Sequence, residues 1–172
     1  NGVIFKNSVV IIGLGIDTHQ LIPGKLIRLG GVDIPSDVSI KAHSDGDIIY
    51  HAIADSILGA IGAGDIGDHF PDIDPKNKDL DSEVIVRLAI EKALSMNLIL
   101  NNLDITLLLE SPKISDYKNE IKENLIKIFM EATEDHYTDN MFNIKASTSE
   151  SLGFIGKGQG VTCYCIASLK NL

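Results

Sequence analysis

The chain has few cysteines, relatively few basic residues and no long apolar run. Its two cysteines, Cys163 and Cys165, are too few for a disulfide framework. One residue separates them within an apolar stretch, which predicts two buried thiols on the same face of a strand, with metal ligation as the alternative. Apolar stretches do not reach the about 20 residues of a membrane span, so we expect no membrane partner.

The scarcity of positive charge narrows the class of partner. Lys and Arg number 15 against 24 Asp and Glu, for a net charge of −9. Nucleic-acid-binding surfaces carry clustered Lys and Arg, whereas these residues are spread thinly along the chain, so we expect no nucleic-acid partner. A phosphate compound bound by so acidic a protein needs metal ions to compensate its charge.

The length and pattern of the chain predict one α/β (α+β) domain covering residues 1–172. A chain of this size can bury about two-thirds of its unfolded surface, and 44% of the residues are hydrophobic. Strands separated by helices predict one mixed sheet with helices against one face, and the other face then needs a partner. We expect strands at 8–14, 104–109, 141–147 and 161–169, a peripheral hairpin at 26–29 and 32–35, and helices at 47–60, 81–97 and 116–132.

Residues typical of divalent-metal sites occur in the first third of the chain. Asp17 and His19 follow the apolar run 8–14, so we expect them at or just past a strand end, with their side chains on one side. His51 lies on the predicted helix 47–60. If this helix packs beside the strand end, one carboxylate and two imidazoles surround an ion and leave a fourth position open, as in a working zinc site. The alternative is a set of surface residues or a hydrogen-bonded turn.

The polar face of the same helix carries Asp47 and Asp55, each four residues from His51. Either carboxylate could orient His51 by accepting a hydrogen bond, or could be solvated.

Two loops have unusual compositions. Segment 62–75 combines Gly and Pro with many acids, which predicts a mobile binding lid; a solvated acidic loop is the alternative. Segment 145–158 combines hydroxyls, small residues and glycines, which can bring backbone N–H groups close to phosphate. The alternative for this second segment is a Ser/Thr-rich helix cap before a Gly turn.

Four motifs, in order along nearly the whole chain, carry a resemblance to a known family. They are Asp17-Thr18-His19, AHSDGDIIYHAIADSILGAIGAGDIGDHFPDIDP at 42–75, Ser111-Pro112-Lys113, and KASTSESLGFIGKGQG at 145–160. Together they resemble the 2-C-methyl-D-erythritol 2,4-cyclodiphosphate synthases of the non-mevalonate isoprenoid pathway.

The resemblance implies a homotrimer of ferredoxin-like subunits, with active sites at the subunit interfaces and a central apolar channel. It implies zinc on Asp17, His19 and His51, and magnesium or manganese on Glu150. His43 and Thr148 match positions that stabilise the transition state. The implied substrate-binding residues are Ser44, Asp65, Ile66, Gly67, Phe70, Pro71, Asp72, Ile73 and Asp74 for the methylerythritol and its phosphates, Leu109, Pro112, Lys113, Ile114, Ala146 and Ser147 for a cytidine diphosphate group held by a neighbouring subunit, and Phe154 and Lys157.

The implied reaction converts 4-diphosphocytidyl-2-C-methyl-D-erythritol 2-phosphate to the 2,4-cyclodiphosphate with release of CMP. Two other classes stay open. A zinc phosphohydrolase would use the same residues to activate water, and a non-catalytic trimer would bind the nucleotide or an isoprenoid without turnover.

The chain departs from the family pattern locally. It has Leu109-Glu110-Ser111 where a small residue and Gln-Ala are frequent, and Lys157 where Arg is common. Because Lys cannot contact phosphate in a bidentate manner, Lys157 puts isoprenoid diphosphate binding in the channel in doubt. Segment 115–142 is longer than usual, which predicts an extended surface helix and loop.

The expected compartment is a bacterial cytoplasm or, after removal of a transit peptide, a plastid stroma of the apicoplast or chloroplast type. The chain begins without Met and is rich in Ile, Lys and Asn, which favours the plastid.

Overall fold

A mixed β-sheet is the framework of the protein, for which a computed structural model describes residues 10–42, 44–71 and 80–172. The strands are β1 (Val10–Pro23), β2 (Leu26–Leu29), β3 (Val32–Pro35), β4 (Val38–Ile40), β5 (Leu98–Leu108), β6 (Phe142–Ser147) and β7 (Gly160–Asn171). The order in the main sheet is β4-β1-β7-β5-β6, in which β5 and β6 are parallel and the other pairs antiparallel. Strands β2 and β3 form a separate hairpin, as predicted.

The helices of the described chain are α1 (Ile48–Ala60), α2 (Ile66–His69), α3 (Ser82–Ser95), α4 (Lys118–Thr133) and α5 (Gly153–Gly156). Helix α4 buries the predicted apolar stripe Ile121, Leu125, Ile128 and Phe129. The predicted mixed sheet with helices is therefore confirmed. None of the helices in the described ranges is both long and apolar enough to cross a membrane.

Helix α1 lies against β1 at unusually short range because glycines face it. A Cβ atom on Gly13 would lie 1.9 Å from the Ser56 carbonyl oxygen. Real Cβ atoms do not approach backbone this closely, so this crossing requires residues without a side chain. The Gly-Leu-Gly sequence of β1 thus sets the distance between strand and helix.

The start of α1 is tied to the hairpin through one buried carboxylate. Asp47 caps α1 by accepting hydrogen bonds from the N–H groups of Ile49 and Tyr50. It also accepts from the N–H groups of Gly30 and Gly31 in the β2–β3 turn, at 2.8 and 2.7 Å. This network fixes the position of the helix turn that follows, which carries His51.

The opposite face of the sheet is apolar and exposed. The side chains of Ile12 and Leu14 on β1 are 66% and 56% exposed, and Tyr164 and Ile166 on β7 continue the surface. Alternation along β1 explains the pattern, since every second residue faces α1 and the others face away. The predicted bare sheet face is therefore present in this chain.

Strand β1 differs from the sequence-based prediction. It continues to Pro23, so Asp17 and His19 lie inside the strand rather than at its end. Pairing with other strands explains this, because β7 pairs with β1 continuously from Val10 through Gln20 and β4 pairs with it from Leu21 to Pro23. The spacing argument still holds: the two side chains lie on the face that packs against α1.

Cys163 and Cys165 are free thiols and are both buried, as predicted. Burial raises the pKa of the Cys165 thiol to about 12 and that of Cys163 well above its usual value. Both thiols are therefore protonated near neutral pH, which does not favour metal ligation.

Candidate metal centre and substrate cavity

Asp17, His19 and His51 meet where β1 passes the first turn of α1. His51 Nδ1 lies 3.0 Å from Asp17 Oδ2, and His19 Nδ1 lies 3.1 Å from the same oxygen. One ligand atom from each residue falls within 4.8 Å of the others. The side chains are 22%, 19% and 13% exposed, so the cluster is partly shielded from water and open on one side. The predicted convergence of these three residues is confirmed.

Asp17 and His51 shift each other's pKa values. Burial alone would raise the pKa of Asp17, but the close imidazoles of His19 and His51 hold it well below its usual range through short polar contacts and positive charge. Burial alone would lower the pKa of His51, yet the hydrogen bond and charge of Asp17 raise it above its usual value. Below the raised pKa of His51, a proton lies between Asp17 and His51, on the same atoms that a cation would bind.

One unpartnered atom indicates that the cluster fits a metal ion. His19 Nδ1 is buried and makes no hydrogen bond within the described ranges, although Asp17 Oδ2 is 3.1 Å away. A buried nitrogen without a partner is costly, and a cation between the three side chains would satisfy it. One carboxylate oxygen and two imidazole nitrogens are suitable donors for a divalent metal, with room for an exogenous ligand.

The far side of the His51 ring contacts hydroxyl groups instead of the expected carboxylates. His51 Nε2 lies 2.9 Å from Ser82 Oγ and 3.4 Å from Ser44 Oγ. The prediction that Asp47 or Asp55 orients His51 is wrong. The Asp47 carboxylate instead accepts hydrogen bonds from backbone N–H groups. Asp55 accepts a hydrogen bond from the N–H of Ile66, at 2.9 Å, which anchors α2 to α1.

A cavity of about 400 Å³ opens beside the cluster. Its lining includes His19 and His51 of the cluster and three of the predicted substrate-binding residues, namely Ser44, Ile66 and Phe70. Asp65 and Gly67 belong to α2 next to it, with Asp65 as the N-cap, and Pro71 follows. His43, Asp72, Ile73 and Asp74 lie outside the described residues, as does the last part of the predicted lid.

Sequence reasoning missed other residues that line this cavity. Gln20 and Lys41 extend the wall formed by β1 and β4, and Lys41 Nζ lies 3.5 Å from Gln20 Oε1. Lys41 brings positive charge to an otherwise acidic surround. Its position two residues before His43 could have indicated that Lys41 lies near the site. Ser82 had no comparable signal, because it is 31 residues from His51 in the chain.

The residues matched to nucleotide binding form a second cavity, of about 230 Å³. Its lining includes Leu109, Pro112, Lys113, Ile114, Ala146, Ser147 and Thr148. Thr148 Oγ1 donates to Glu150 Oε1 at 3.3 Å, so the two predicted functional residues of this loop are neighbours. This second cavity shares no lining residue with the first among the described residues.

Phe154 lies within the short helix α5, and Lys157 follows the helix as its C-cap. The Phe154 ring covers Gly160, where a Cβ would lie 2.7 Å from the ring and 3.1 Å from the His19 carbonyl oxygen. Phe154 is therefore close to the main chain of the metal cluster, whereas Lys157 is exposed at the end of α5.

Comparison with known proteins gives a consistent answer. The 2-C-methyl-D-erythritol 2,4-cyclodiphosphate synthase of Natranaerobius thermophilus is 40% identical over 161 residues, which cover 94% of this chain and 98% of that protein. A solved structure described as IspF from Plasmodium falciparum in complex with CDP is 35% identical, has a TM-score of 0.80, and is matched over 94% of this chain and 96% of that one.

A bifunctional IspDF from Campylobacter jejuni is 34% identical with a TM-score of 0.87 and is matched over 96% of this chain. The chain spans 43% of the length of that protein. The sequence model of the YgbB family matches residues 10–170. These matches confirm the resemblance found from the sequence motifs, and the chain belongs to the YgbB family.

Proposed function

We propose that this protein is a phosphorus–oxygen lyase that converts 4-diphosphocytidyl-2-C-methyl-D-erythritol 2-phosphate into 2-C-methyl-D-erythritol 2,4-cyclodiphosphate and CMP. The observation that carries the proposal is the convergence of Asp17, His19 and His51 beside the 400 Å³ cavity. The relatives that share this chain over more than nine-tenths of their length bear the name of this activity.

The reaction makes modest demands on proton transfer. An oxygen of the 2-phosphate forms a bond to the β-phosphorus, and the bond from that phosphorus to the CMP oxygen breaks. Because the nucleophile is already an anion, a strong general base is not needed. Positioning the two phosphates and compensating their charge are the main requirements.

The cluster on β1 and α1 supplies the first of these requirements. Asp17, His19 and His51 would hold zinc, and the chemistry that zinc would supply is the orientation and polarisation of a phosphate oxygen. Ser44, Ile66 and Phe70 line the space for the methylerythritol unit, together with Asp65, Gly67, Pro71 and the residues 72–74. Lys41 offsets phosphate charge at the cavity wall.

The loop after β6 supplies the second requirement. Ala146, Ser147 and the 109–114 turn hold the cytidine diphosphate. Glu150 would hold magnesium or manganese, which would compensate the charge of the diphosphate. Thr148, with His43, stabilises the negative charge on the phosphoryl oxygens in the transition state. Phe154 and Lys157 complete the wall on the α5 side.

A complete site requires more than one subunit. The metal cluster and the nucleotide cavity share no lining residue among those described, and the exposed apolar face of β1 and β7 suits burial against further copies of the chain. We infer that the single domain 1–172, with a ferredoxin-like arrangement, assembles as a homotrimer. Sedimentation of the wild type as a trimer, and of Ile12→Glu as a monomer, would support this assembly.

The test of function is phosphorus NMR of the products. Purified protein is incubated with the cytidyl substrate and Mg²⁺, with and without a zinc chelator. A cyclic diphosphate plus CMP, abolished by the chelator, supports the proposal. Linear phosphate products would indicate a zinc phosphohydrolase instead, and unchanged substrate would indicate a binding protein.

A further inference from the structure

Asp45 and Ser82 form a polar chain that ends on the metal-ligand His51. Ser82 is the first residue of α3 and is fully buried. Its hydroxyl donates a hydrogen bond to Asp45 Oδ1, and its N–H donates to Asp45 Oδ2 at 3.2 Å. On its other side, the same hydroxyl oxygen lies 2.9 Å from His51 Nε2.

The direction of these hydrogen bonds determines which ring nitrogen of His51 carries hydrogen. An ionised carboxylate only accepts, and a serine hydroxyl has a single proton. Once that proton is donated to Asp45, Ser82 can only accept from His51, so Nε2 must carry a hydrogen. When a cation replaces the proton between Nδ1 and Asp17, the lone pair of Nδ1 is therefore the one that the metal can use.

Asp45 is itself held in place. Its Oδ1 accepts from the N–H of Asp47 at 3.2 Å, and its Oδ2 lies 3.6 Å from Nε of Arg28 on β2. If Ser82 instead donated to His51, Asp45 Oδ1 would face a lone pair of the hydroxyl oxygen at short range. That repulsion disfavours the opposite arrangement.

We propose that Asp45 and Ser82 are positioning residues that hold His51 with hydrogen on Nε2 and thereby direct Nδ1 to the metal. This inference rests on the proposed metal site and extends it to two residues that do not touch the ion. Partners of this kind raise metal affinity by fixing both the ring orientation and the tautomer.

The variants distinguish the hydrogen-bonding role of the Ser82 hydroxyl group from the effect of its volume. Ser82→Ala removes the acceptor for Nε2–H, and Asp45→Asn keeps the shape but lets an amide N–H face Ser82, which frees the hydroxyl to donate to His51. Ser82→Thr retains the hydroxyl and serves as the rescue. Ser56→Ala is the matched control, because Ser56 is equally buried but donates to the Ile53 carbonyl oxygen in α1.

The first readout uses metal-free protein labelled with nitrogen-15 in histidine, at a pH at which His51 is protonated and both ring nitrogens carry hydrogen. Two-dimensional NMR then measures how fast the Nε2 hydrogen of His51 exchanges with water, which a hydrogen bond to Ser82 slows. We expect slow exchange in the wild type, Ser82→Thr and Ser56→Ala. Exchange should be fast in Ser82→Ala and intermediate in Asp45→Asn, in which Ser82 is free to donate; wild-type exchange in both would overturn the proposal.

The second readout is titration with zinc alone against a competing chelator. We expect Ser82→Ala to weaken zinc binding by about 10- to 100-fold, while Ser82→Thr and Ser56→Ala bind zinc as the wild type does. Wild-type affinity in Ser82→Ala would overturn the proposal. If the wild type binds no zinc, the metal assignment fails, while the exchange measurement on metal-free protein still decides the roles of Asp45 and Ser82.

Discussion

Gly15 of β1 lies so close to Ala52 of α1 that a Cβ atom on the glycine would be 2.0 Å from the Ala52 carbonyl oxygen. The contact sets how near the strand with Asp17 and His19 comes to the helix with His51. The metal cluster therefore depends on a backbone contact that no side chain can replace.

We predict that Gly15→Ala destabilises the metal-free protein strongly. Overpacking a core costs about 1–3 kcal/mol, and this clash is with backbone that cannot rotate away, so we expect the upper end of that range or more. Urea denaturation measures the change. Zinc affinity should fall as well, because α1 must move away from β1.

Gly59→Ala is the matched control on the other side of the same interface. The nearest atom to a Cβ there, the Leu14 carbonyl oxygen, is 4.0 Å away, and Gly59 is helical. Alanine should therefore stabilise the protein by about 0.4–1 kcal/mol. Equal losses in both variants would show that the close approach at Gly15 is not the cause.

The shared proton of Asp17 and His51 predicts how stability depends on pH. The raised pKa of His51 contributes stability that is complete below its unfolded value of 6.5 and is lost as pH rises through the folded value. The depressed pKa of Asp17 contributes stability that is complete above 3.8 and is lost as pH falls through its folded value. From this pair alone, the metal-free protein is most stable between these limits.

In the presence of zinc, the stability of the protein should rise with pH where that of the metal-free protein falls. Binding displaces the proton from His51, so zinc affinity should rise with pH until the raised pKa is passed. Chemical denaturation from pH 5 to 9, with and without zinc, measures both effects. In His51→Gln the loss of stability above pH 6.5 should disappear; its persistence would assign the titration to another group.

Part of this site could be predicted from the sequence because the signals were local. Alternation placed Asp17 and His19 on one face, and Asp81 was correctly predicted to cap α3. The end of β1 was misplaced because the long β7 partner, which extends the strand, lies more than 130 residues away in the chain.

The orienting partner of His51 was missed for the same reason. Helical spacing pointed to Asp47 and Asp55, since residues four apart share a face. The structure uses Asp47 to tie α1 to the hairpin, and it brings Ser82 to His51 from another helix. Contacts between elements distant in sequence leave no periodic pattern to detect.

Substitution of the metal ligands and substitution of Thr148 should differ in their effect on zinc content. We predict that His51→Ala and Asp17→Ala lose zinc and nearly all turnover while keeping the fold, because each removes a ligand. Thr148→Ala should reduce kcat by about 10²- to 10³-fold with zinc still bound, since Thr148 lies in the other cavity. Zinc content and CMP release are the measurements, and full activity in either ligand variant would contradict the metal assignment.

The turn that carries Thr148 and Glu150 should depend on Glu110. Glu150 and Ser151 both adopt left-handed backbone angles, with φ of 53° and 64°, which cost energy in residues other than glycine. Glu110 accepts hydrogen bonds from the N–H groups of Ser149 and Ser151, at 3.2 and 3.3 Å, one on each carboxylate oxygen.

We predict that Glu110→Gln weakens Mg²⁺-dependent CDP binding, because an amide offers one acceptor oxygen where the turn uses two, and that Glu110→Ala weakens it further. Each lost hydrogen bond should cost about 1 kcal/mol, or about fivefold in affinity, since the turn is exposed. Adding Ser151→Gly to Glu110→Ala should recover part of the loss, because glycine adopts a positive φ without strain. Calorimetric titration with CDP measures all of these variants. If Glu110→Ala binds CDP as the wild type does, the turn holds its shape without the carboxylate, and Glu110 has no part in positioning Glu150.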